Sequence, residues 1–517
     1  MEWETLRRKK GPIMSTASDM TAAEVEEVAA IRRQRGFIGH PKAIGTLSTM
    51  QMCNSFANYT MSSLLVFYLY LSVGEGGLGF SQTEAAQLIS LYSAVSILAG
   101  LVGSYVADRI LGPRRGLRFA RCFMAVAYVV LAIPGTGIAG YAASQVMLVF
   151  STMLAGRSLE ALAGKMYEDG DSRRDGAFAI TYTISQIGAA VPAIAGAISL
   201  IAGYHAAFAL GAAAAVVGAV CYVLTEKKFF GPIGLEPDDP LPADSRVKTM
   251  GLIVGAVVVA VALLAFLFLN RIVTISQFAN TLSTAAIFIP IVYLVYIIKS
   301  KKTTHAEGLR VKALVPLYAC TCLTALVWTQ STTVLAIYTE QNVDLYLLGM
   351  EISPATFQTV PAIFAFIFGS VVTALWTKLG KHQPSNPWKV GFGTIMYGLG
   401  PVFMCLPFLL YPAGVKVSPM WLVVFYALIM IGEALASPTG YAAASMVAPK
   451  AFSTQMMTVW SLVGSTGAGL STLAANFYTP GNEVMYFLVM GGITIVGGLL
   501  LMLVSKKLNV MMGQEAA

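Results

Sequence analysis

The sequence predicts an all-α membrane protein of about fourteen transmembrane helices, arranged as two six-helix bundles with a two-helix hairpin between them. The chain of 517 residues is 56% hydrophobic but only 12% charged, which is too little charge to cover the surface of a soluble protein. Its apolar residues come in blocks of about 20, enough to cross a bilayer core about 30 Å thick. These blocks follow a six, two, six order along the chain.

The order of the blocks predicts how the chain is organised. A polar segment rich in Pro, Asp and Gly follows the sixth block and indicates a linker. The predicted domains are an N-terminal tail at 1–41, a six-helix bundle at 42–226, a linker at 227–247, a hairpin at 248–300, a second six-helix bundle at 301–508 and a C-terminal tail at 509–517. The predicted spans are 43–72, 83–110, 117–135, 142–165, 176–201, 205–225, then 249–270 and 281–299 in the hairpin, then 313–338, 355–379, 389–411, 420–446, 453–477 and 484–505.

Basic residues indicate the orientation of the chain, because they cluster at every second connection between blocks. The clusters are Arg7–Lys10, Arg32–Arg35, Arg109–Arg121, Arg173–Arg174, Lys227–Lys228, Lys299–Lys302, Lys378–Lys389 and Lys506–Lys507. Loops rich in Lys and Arg stay on the cytoplasmic side, so we expect a multi-pass protein with both termini in the cytoplasm. The polar N-terminus argues against a cleavable signal peptide. A nucleic-acid partner is not expected, because a basic binding face would not alternate with apolar blocks.

Composition also argues against a metal site and an enzyme. Most of the six cysteines lie inside apolar blocks, and Cys320 and Cys322 are separated by only one residue, which is not zinc-ligand spacing. The four histidines lie at segment ends and form no cluster. No nucleophile and base converge in the sequence, so no catalytic residues are predicted.

Ionisable residues inside an apolar span are costly and are functional candidates by default. Glu433 lies mid-span with no charged residue within a helical turn, so its partner must be another helix, a ligand or a proton. Arg157 and Glu160 lie three residues apart and therefore share a helical face. They form either a self-neutralising pair near the membrane interface or a pair that faces the cavity and changes partners as the bundle moves.

A stripe of uncharged polar residues runs along the first predicted span. Gln51, Asn54, Ser55, Asn58 and Tyr59 share one helical face. Because a polar face is unfavourable against lipid, we expect this stripe to line an internal cavity.

The connection between the second and third spans carries the pattern Gly103…Ala107-Asp108-Arg109…Gly112…Arg114-Arg115-Gly116. Asp108, at the helix end, and the arginines can latch moving helices together. This pattern resembles the loop between the same spans of major facilitator proteins, whose two six-helix bundles enclose a site near the membrane midplane. The resemblance implies the major facilitator fold here. Asp108 and Arg109 of this loop, with the Arg157 and Glu160 pair of the fourth span, are the candidate gating or coupling residues.

Further segments resemble the proton-dependent oligopeptide transporter family, the POT or PTR family. They are Phe37-Ile38-Gly39-His40-Pro41, Tyr167-Glu168…Arg173-Arg174-Asp175-Gly176-Ala177-Phe178…Tyr182, Gln341-Asn342-Val343-Asp344, Phe357-Gln358 and Gly432-Glu433…Ser437-Pro438-Thr439-Gly440. Their order and spacing hold from about residue 37 to 480, and bacterial members also carry the extra hairpin. The resemblance implies uptake of di- and tripeptides driven by the proton gradient, with Glu433 contacting the peptide amino terminus.

The chain departs from the family pattern at positions that normally carry charge. The family's first span has Glu-x-x-Glu-Arg, tied to proton coupling and peptide carboxylate binding, where this chain has Gln51, Asn54 and Ser55. A lysine of the fourth span falls on Gly156, and an acid of the seventh falls on Thr329. Because these side chains cannot titrate, we predict weak or absent proton coupling by the family's mechanism.

The polar stripe and the resemblance together predict a substrate site between the bundles. Its predicted residues are Gln51, Asn54, Ser55, Asn58, Tyr59, Tyr92, Tyr182, Gln186, Trp328, Gln330, Glu433 and Trp460. No cofactor is expected; a proton gradient is the candidate driving force. The expected partners are a small, peptide-like molecule and the lipid bilayer, and the expected assembly is a monomer.

Three functions stay open at this point. The first is a secondary active transporter of di- and tripeptides or peptide-like molecules, with atypical or absent proton coupling. The second is a facilitator or exchanger of a non-peptide solute on the same fold, and the third is a receptor or scaffold. The short tails and the latch loop favour a moving protein over a scaffold. The Ala-rich composition and the hairpin favour a bacterial inner membrane.

Overall fold

The structure is a computed structural model that describes residues 21–513 except 157, 169–170, 172, 238–239, 348, 413 and 450–451. The described chain is mainly helical. Its one pair of named strands, Tyr346–Leu347 and Met350–Glu351, forms a small antiparallel turn in a connection.

A short helix, Ala22–Arg33, precedes the spans in the described part of the chain. Spans 1 to 4 are Lys42–Tyr70, Gln82–Val106, Pro113–Ala132 and Gly137–Ala155 with Ser158–Lys165. Span 5 consists of Arg173–Ala189 and the part of Pro192–Phe230 before Gly203. Span 6 is the part of Pro192–Phe230 after Gly203. The hairpin helices are Ala243–Leu269 and Ile275–Lys299. Spans 7 to 12 are His305–Ser331 with Val334–Asn342, Val360–Leu379, Asn386–Phe403 with Cys405–Leu410, Met420–Val447, Ser453–Ser461 with Val463–Ala475, and Glu483–Met511. The predicted six, two, six order is confirmed.

Glycines bend two of the spans where a side chain would strain the backbone. The stretch Pro192–Phe230 turns back at Gly203, whose φ of 81° and ψ of 171° suit glycine. Gly156, with φ of 46°, separates the two parts of span 4. Nine helical stretches of the described residues are long and apolar enough to cross a membrane, and one of them, Gly176–Phe230, has 55 residues. That stretch crosses twice because of the turn at Gly203.

The two hairpin helices have different surroundings. The apolar part of the first helix, within Ser245–Phe268, is not buried in the protein and therefore faces lipid. The second helix packs against spans 2 and 11 together, where Ala286 forms a small buried cluster with Ala94 and Ala468. The hairpin is therefore attached through its second helix to both bundles.

The bundles meet in the half of the membrane that lies away from the basic loops. We call the face with the basic loops the basic side and the opposite face the far side. On the far side, Gln87 of span 2 donates a hydrogen bond to Asn476 of span 11 at 2.8 Å. Toward the basic side, Tyr182 of span 5 is 65% exposed and Tyr441 of span 10 is 43% exposed, although both face the space between the bundles. The space is therefore closed on the far side and open to the basic side.

Glycines bring spans 9 and 12 into backbone contact. A Cβ atom added to Gly398 would lie 2.7 Å from the carbonyl oxygen of Gly491, and one added to Gly498 would lie 2.6 Å from that of Gly391. Small residues of this kind let membrane helices approach closely and gain packing energy without a hydrophobic driving force. Span 9 in turn packs closely against span 10, which carries Glu433.

Candidate functional site

A cavity of about 460 Å³ lies between the two bundles near the middle of the spans. Six aromatic side chains contribute to its wall: Tyr59, Tyr182, Trp328, Tyr397, Tyr441 and Trp460. The volume lies in the range that holds a small ligand. Glu433 is the acidic residue among the described lining residues.

Close contact between spans 9 and 10 determines the geometry around Glu433. A Cβ atom added to Gly432 would lie 2.6 Å from the carbonyl oxygen of Gly393 and 2.8 Å from the ring of Tyr397. This approach lets the buried Tyr397 hydroxyl donate a hydrogen bond to Oε2 of Glu433 at 2.7 Å. One carboxylate oxygen therefore has a protein donor, and the carboxylate keeps further lone pairs for a ligand.

Other polar residues extend the wall of the cavity. Gln358, in the short helical turn Pro354–Thr359 that precedes span 8, donates to the carbonyl oxygen of Ser331 at 2.9 Å and to the Tyr426 hydroxyl at 3.3 Å. Its own side-chain oxygen remains available to accept a hydrogen bond from a ligand. An anion, amide groups and aromatic faces together suit a small molecule with an amino group and apolar parts.

The structure brings six of the predicted substrate residues to the cavity wall. They are Tyr59, Tyr182, Gln186, Trp328, Glu433 and Trp460. Tyr397, Tyr441 and Gln358 line the cavity as well but were not predicted as site residues. Gln358 could have been predicted as a site residue, because the segment Phe357-Gln358 resembles the family. A tyrosine in an apolar span gives no such indication.

The other six predicted substrate residues are not among the cavity-lining residues. Gln330 is buried, and its amide donates to the Ser471 hydroxyl at 2.8 Å and accepts from the Tyr486 hydroxyl at 2.6 Å. Tyr92 packs against the core of the N-terminal bundle. Gln51 and Ser55 are partly buried on span 1.

Asn54 and Asn58 of span 1 join a polar cluster with span 3. Arg121 donates a hydrogen bond to Oδ1 of Asn54, and Asn58 donates to the same oxygen at 3.3 Å. Tyr128 donates to Oδ1 of Asn58 at 2.7 Å. Sequence reasoning missed Arg121 as a site residue, because it was grouped with the basic cluster Arg109–Arg121, although it lies inside the predicted span 117–135 and inside span 3 of the structure.

The predicted gating residues are described only in part. Arg157 lies outside the described residues, and so does the side chain of Asp108. The carbonyl oxygen of Arg109 accepts a hydrogen bond from Leu241, so the linker docks on the loop between spans 2 and 3. Glu160 is exposed on span 4, and its charge acts on Arg121.

Two family-like segments meet on the basic side around a buried histidine. Nδ1 of His40 lies 2.8 Å from the Tyr167 hydroxyl, and the Arg173 guanidinium lies 5.5 Å from the centre of the Tyr167 ring. Hydrogen bonds from Arg173 hold the pKa of Asp171 below its ordinary value. Burial, with Arg173 second, lowers the pKa of His40. Burial also raises the pKa of Tyr167 to about 12. The cluster ties the starts of spans 1 and 5 to the end of span 4.

No group of three or more His, Cys, Asp or Glu side chains in the described parts of the chain is arranged to hold a metal ion.

Comparison with known proteins gives matches over almost the whole chain. The POT family model matches residues 157–491. The di-/tripeptide transporter of Lactococcus lactis subsp. lactis (strain IL1403) is 31% identical over 492 residues, which cover 93% of this chain and 98% of the relative. The crystal structure of the peptide transporter POT in complex with sulfate has a TM-score of 0.90 and 34% identity, covering 95% of this chain and 99% of that chain. The crystal structure of a POT family transporter in complex with 5-aminolevulinic acid has a TM-score of 0.86 and 30% identity, and the match covers 93% of this chain and 99% of that chain.

These matches confirm the resemblance drawn from the sequence segments. They also confirm the major facilitator fold, because the similarity to a POT transporter structure extends over 95% of this chain. The protein is a multi-pass membrane transporter and not an enzyme. The chain belongs to the POT family.

Proposed function

We propose that the protein is a secondary active transporter that moves di- and tripeptides or peptide-like small molecules across the membrane by alternating access. The observation that carries this proposal is Glu433, a carboxylate in the middle of span 10 that faces an aromatic cavity between the bundles. An ionisable group at this depth is costly unless function requires it. An ammonium group of a ligand would neutralise it and stack against the surrounding rings.

The names of the relatives support a peptide-like substrate. One is a di-/tripeptide transporter, and another is a family member crystallised with 5-aminolevulinic acid, a small molecule with an amino and a carboxyl group. Each of these ligands carries an amine that could meet Glu433.

We propose that proton coupling is atypical or absent. Gln51, Asn54 and Ser55 occupy the first-span positions, and Thr329 occupies the seventh-span position, so none of these side chains exchanges a proton in the physiological range. A symporter needs a titrating group whose protonation changes the conformational equilibrium. Exchange of substrate down its own gradient needs no such group.

The test is uptake by purified protein in proteoliposomes. With unlabelled dipeptide inside, we expect labelled dipeptide to enter by counterflow, whereas an imposed proton gradient alone gives little accumulation. Liposomes without protein provide the background. Absence of counterflow for every di- and tripeptide tried would refute peptide transport. Accumulation that stops when the proton gradient is collapsed would refute the proposal on coupling.

We further propose that the basic side is cytoplasmic, that the membrane is a bacterial inner membrane and that the monomer is the working unit. The alternation of basic loops supports the orientation. The bacterial origin of the relatives supports the location. Under this orientation the structure is open to the cytoplasm.

A further inference from the structure

An apolar groove lies on the basic side, between the end of span 2 and the first hairpin helix. Its wall consists of Ile110, in the turn Ala107–Leu111, and of Arg246, Val247, Met250, Gly251 and Val254. The five hairpin residues recur at helical spacing and therefore share one face of Ala243–Leu269. The groove has a volume of about 480 Å³. It is separate from the substrate cavity, since the described linings of the two share no residue.

The first hairpin helix is attached to the rest of the protein near both of its ends. At its start it contacts the turn Ala107–Leu111. Near its other end, the ring of Phe268 lies 5.5 Å from that of Phe278 on the second hairpin helix. The apolar part between these contacts is not buried in the protein. Inside a bilayer, an uncovered apolar face is covered by lipid acyl chains.

The polarity along the groove follows that of a phospholipid molecule. Arg246 lies at the basic end, and the other lining residues are apolar. Val254 comes eight residues after Arg246, which at 1.5 Å per residue is roughly 12 Å deeper in the membrane. A phospholipid of the leaflet on the basic side has its phosphate at the membrane surface and its chains pointing inward. The groove therefore matches a lipid of that leaflet in both polarity and direction.

The guanidinium of Arg246 keeps N–H groups for a phosphate. Its Nε donates to the carbonyl oxygen of Leu241 at 2.7 Å, which holds the side chain at the start of the helix. Its Nη1 lies 3.9 Å from Oε2 of Glu236, beyond hydrogen-bond distance, and Glu236 lies closer to Arg115, at 3.4 Å. A guanidinium has five N–H groups. Apart from the one that meets Leu241, those of Arg246 have no hydrogen-bond acceptor among the described residues.

We propose that this groove binds one phospholipid of the basic-side leaflet, with its phosphate at Arg246 and an acyl chain along Gly251. Arginine suits the headgroup because its planar fork matches the geometry of a phosphate. The chain can approach the helix backbone closely, because a Cβ atom added to Gly251 would meet no atom within 4 Å. This lipid is distinct from the transported substrate, and its binding does not depend on what the substrate is.

The bound lipid stabilises the contact between the hairpin, the linker and span 2. Leu241 of the linker accepts a hydrogen bond from Arg246 and donates one to the carbonyl oxygen of Arg109 at 3.1 Å. Ile110, the next residue after Arg109, lines the groove. A lipid that contacts Arg246 and Ile110 together therefore joins the same three segments as these hydrogen bonds.

The test counts the phospholipids that the delipidated full-length protein binds in detergent. Native mass spectrometry follows titration with palmitoyl-oleoyl phosphatidylglycerol or with the corresponding phosphatidylcholine. Gly251→Leu fills the groove with a side chain, and leucine favours the helix over glycine. Gly369→Leu is the matched control, because Gly369 lies on lipid-facing span 8 and a Cβ atom there would also meet no atom within 4 Å.

A second set of variants tests the headgroup contact. Arg246→Gln removes the charge, and Arg246→Lys keeps it without the planar fork. Lys506→Gln is the control, because Lys506 is an exposed cation near the basic end of span 12. Glycerol phosphate, which has no acyl chain, probes an anion site without a lipid. The shift in unfolding temperature is measured with each probe, since a ligand of the folded state raises that temperature.

We expect wild type and Gly369→Leu to bind one phospholipid that Gly251→Leu does not bind. Either lipid should occupy the groove, because both carry the phosphate. Arg246→Gln should bind this lipid roughly tenfold more weakly, as the loss of a charged hydrogen bond would give. Arg246→Lys should keep part of the affinity, and Lys506→Gln should match wild type. Phospholipid should raise the unfolding temperature of wild type more than that of Gly251→Leu.

Equal lipid binding by wild type and Gly251→Leu overturns the groove as the binding site. Val254→Trp, which fills the deeper part of the groove, takes the place of Gly251→Leu if that variant fails to fold. Equal binding by wild type and Arg246→Gln, or binding of phosphatidylglycerol without phosphatidylcholine, overturns recognition of the phosphate by Arg246. If glycerol phosphate raises the unfolding temperature as much as the phospholipid does, the site binds an anion and the lipid proposal is wrong.

Discussion

Gln87 and Asn476, which are 389 residues apart in sequence, bond directly across the two bundles, with Nε2 of Gln87 2.8 Å from Oδ1 of Asn476. Asn280 of the second hairpin helix joins them: its Oδ1 accepts from Asn476 at 3.1 Å and from Gln87 at 3.4 Å. Gln87 is fully buried, whereas Asn476 is exposed, so water is excluded only from the Gln87 end of these side-chain hydrogen bonds. The hairpin therefore contributes a side chain to the far-side closure that the two bundles make.

Asn280→Ala should weaken this closure and increase the population open to the far side. Loss of a hydrogen-bonded amide costs about 1 kcal/mol, which corresponds to about a fivefold change in the equilibrium. The measurement is the distance distribution between spin labels at Gly74 and Tyr346, which lie exposed on far-side connections of the two bundles. Cys122, the exposed native cysteine, is replaced by serine in this background.

Thr281→Ala is the control for the hairpin variant. Thr281 is the next residue along the same helix, but it is exposed and its hydroxyl bonds to the carbonyl oxygen of Gln277 in its own helix. Its distance distribution should match that of the parent. If Asn280→Ala shows the same distribution as Thr281→Ala, the hairpin takes no part in the closure.

Glu433→Gln should weaken binding of ligands with a free amine. The change keeps the side-chain shape and the hydrogen bond from Tyr397 but removes the charge. A charged hydrogen bond contributes about 1.5 to 3 kcal/mol, so the affinity should fall roughly 10- to 100-fold. Tyr397→Phe removes one hydrogen-bond donor to Glu433 and keeps the carboxylate charge, so the loss of affinity should be smaller than in Glu433→Gln. Calorimetric titration with a dipeptide measures both.

A matched carboxylate serves as the control for Glu433. Glu351 lies exposed in the short strand Met350–Glu351 on the far side, and Glu351→Gln should leave the affinity unchanged. An N-acetylated dipeptide, which has no ammonium group, should bind wild type and Glu433→Gln equally. Equal affinity of wild type and Glu433→Gln for the free dipeptide would remove Glu433 from amine recognition.

The histidine cluster on the basic side predicts a pH dependence of stability. Burial, then the nearby Arg173 guanidinium, lowers the pKa of His40 below its ordinary 6.5, while Asp171 acts in the opposite direction. As the pH falls, the imidazole of His40 therefore binds a proton at a higher pH in the unfolded chain than in the folded chain. The contribution to stability is present above pH 6.5 and is lost as the pH falls through the lower pKa of the folded state.

The measurement is the unfolding temperature of wild type and His40→Gln between pH 7.5 and pH 5. Wild type should lose more stability on acidification than His40→Gln, which has no titrating imidazole. His305→Gln replaces an exposed histidine at the start of span 7 and should follow wild type. If the unfolding temperatures of wild type and His40→Gln fell in parallel with pH, His40 would not be the source of the pH dependence.

Much of the fold was predictable because lipid constrains the sequence strongly. Apolar blocks and basic loops locate spans with little help from tertiary contacts. Glu433 stood out for the same reason, as a charge inside an apolar block. Tyr397, its hydrogen-bond donor, could not be predicted, because the pairing depends on how closely Gly393 and Gly432 let spans 9 and 10 approach.

Polar residues misled the sequence argument in two ways. Gln330 was predicted to bind the substrate, but its amide is hydrogen-bonded to Ser471 and Tyr486 inside the C-terminal bundle. Arg121 was grouped with a basic loop because basic residues precede it, although the predicted span 117–135 and span 3 of the structure, which begins at Pro113, both contain it. Sequence patterns indicate that a polar residue is buried, but its partner is determined by the packing of other spans.

Adjacent glycines of span 12 provide a test of the packing that supports Glu433. A Cβ atom at Gly491 would lie 2.6 Å from Val402 Cγ2 and 2.9 Å from Val402 N on span 9, whereas a Cβ atom at Gly492 would meet no atom within 4 Å. Gly491→Ala should destabilise the protein by about 1 to 3 kcal/mol through overpacking, and Gly492→Ala should be neutral or slightly stabilising because alanine favours the helix. Thermal unfolding in detergent measures both. Since span 9 carries Tyr397, Gly491→Ala should also weaken dipeptide binding, while Gly492→Ala should leave it unchanged. Equal unfolding temperatures for the two variants would show that spans 9 and 12 separate enough to accept the methyl group, and that their contact does not hold Tyr397 against Glu433.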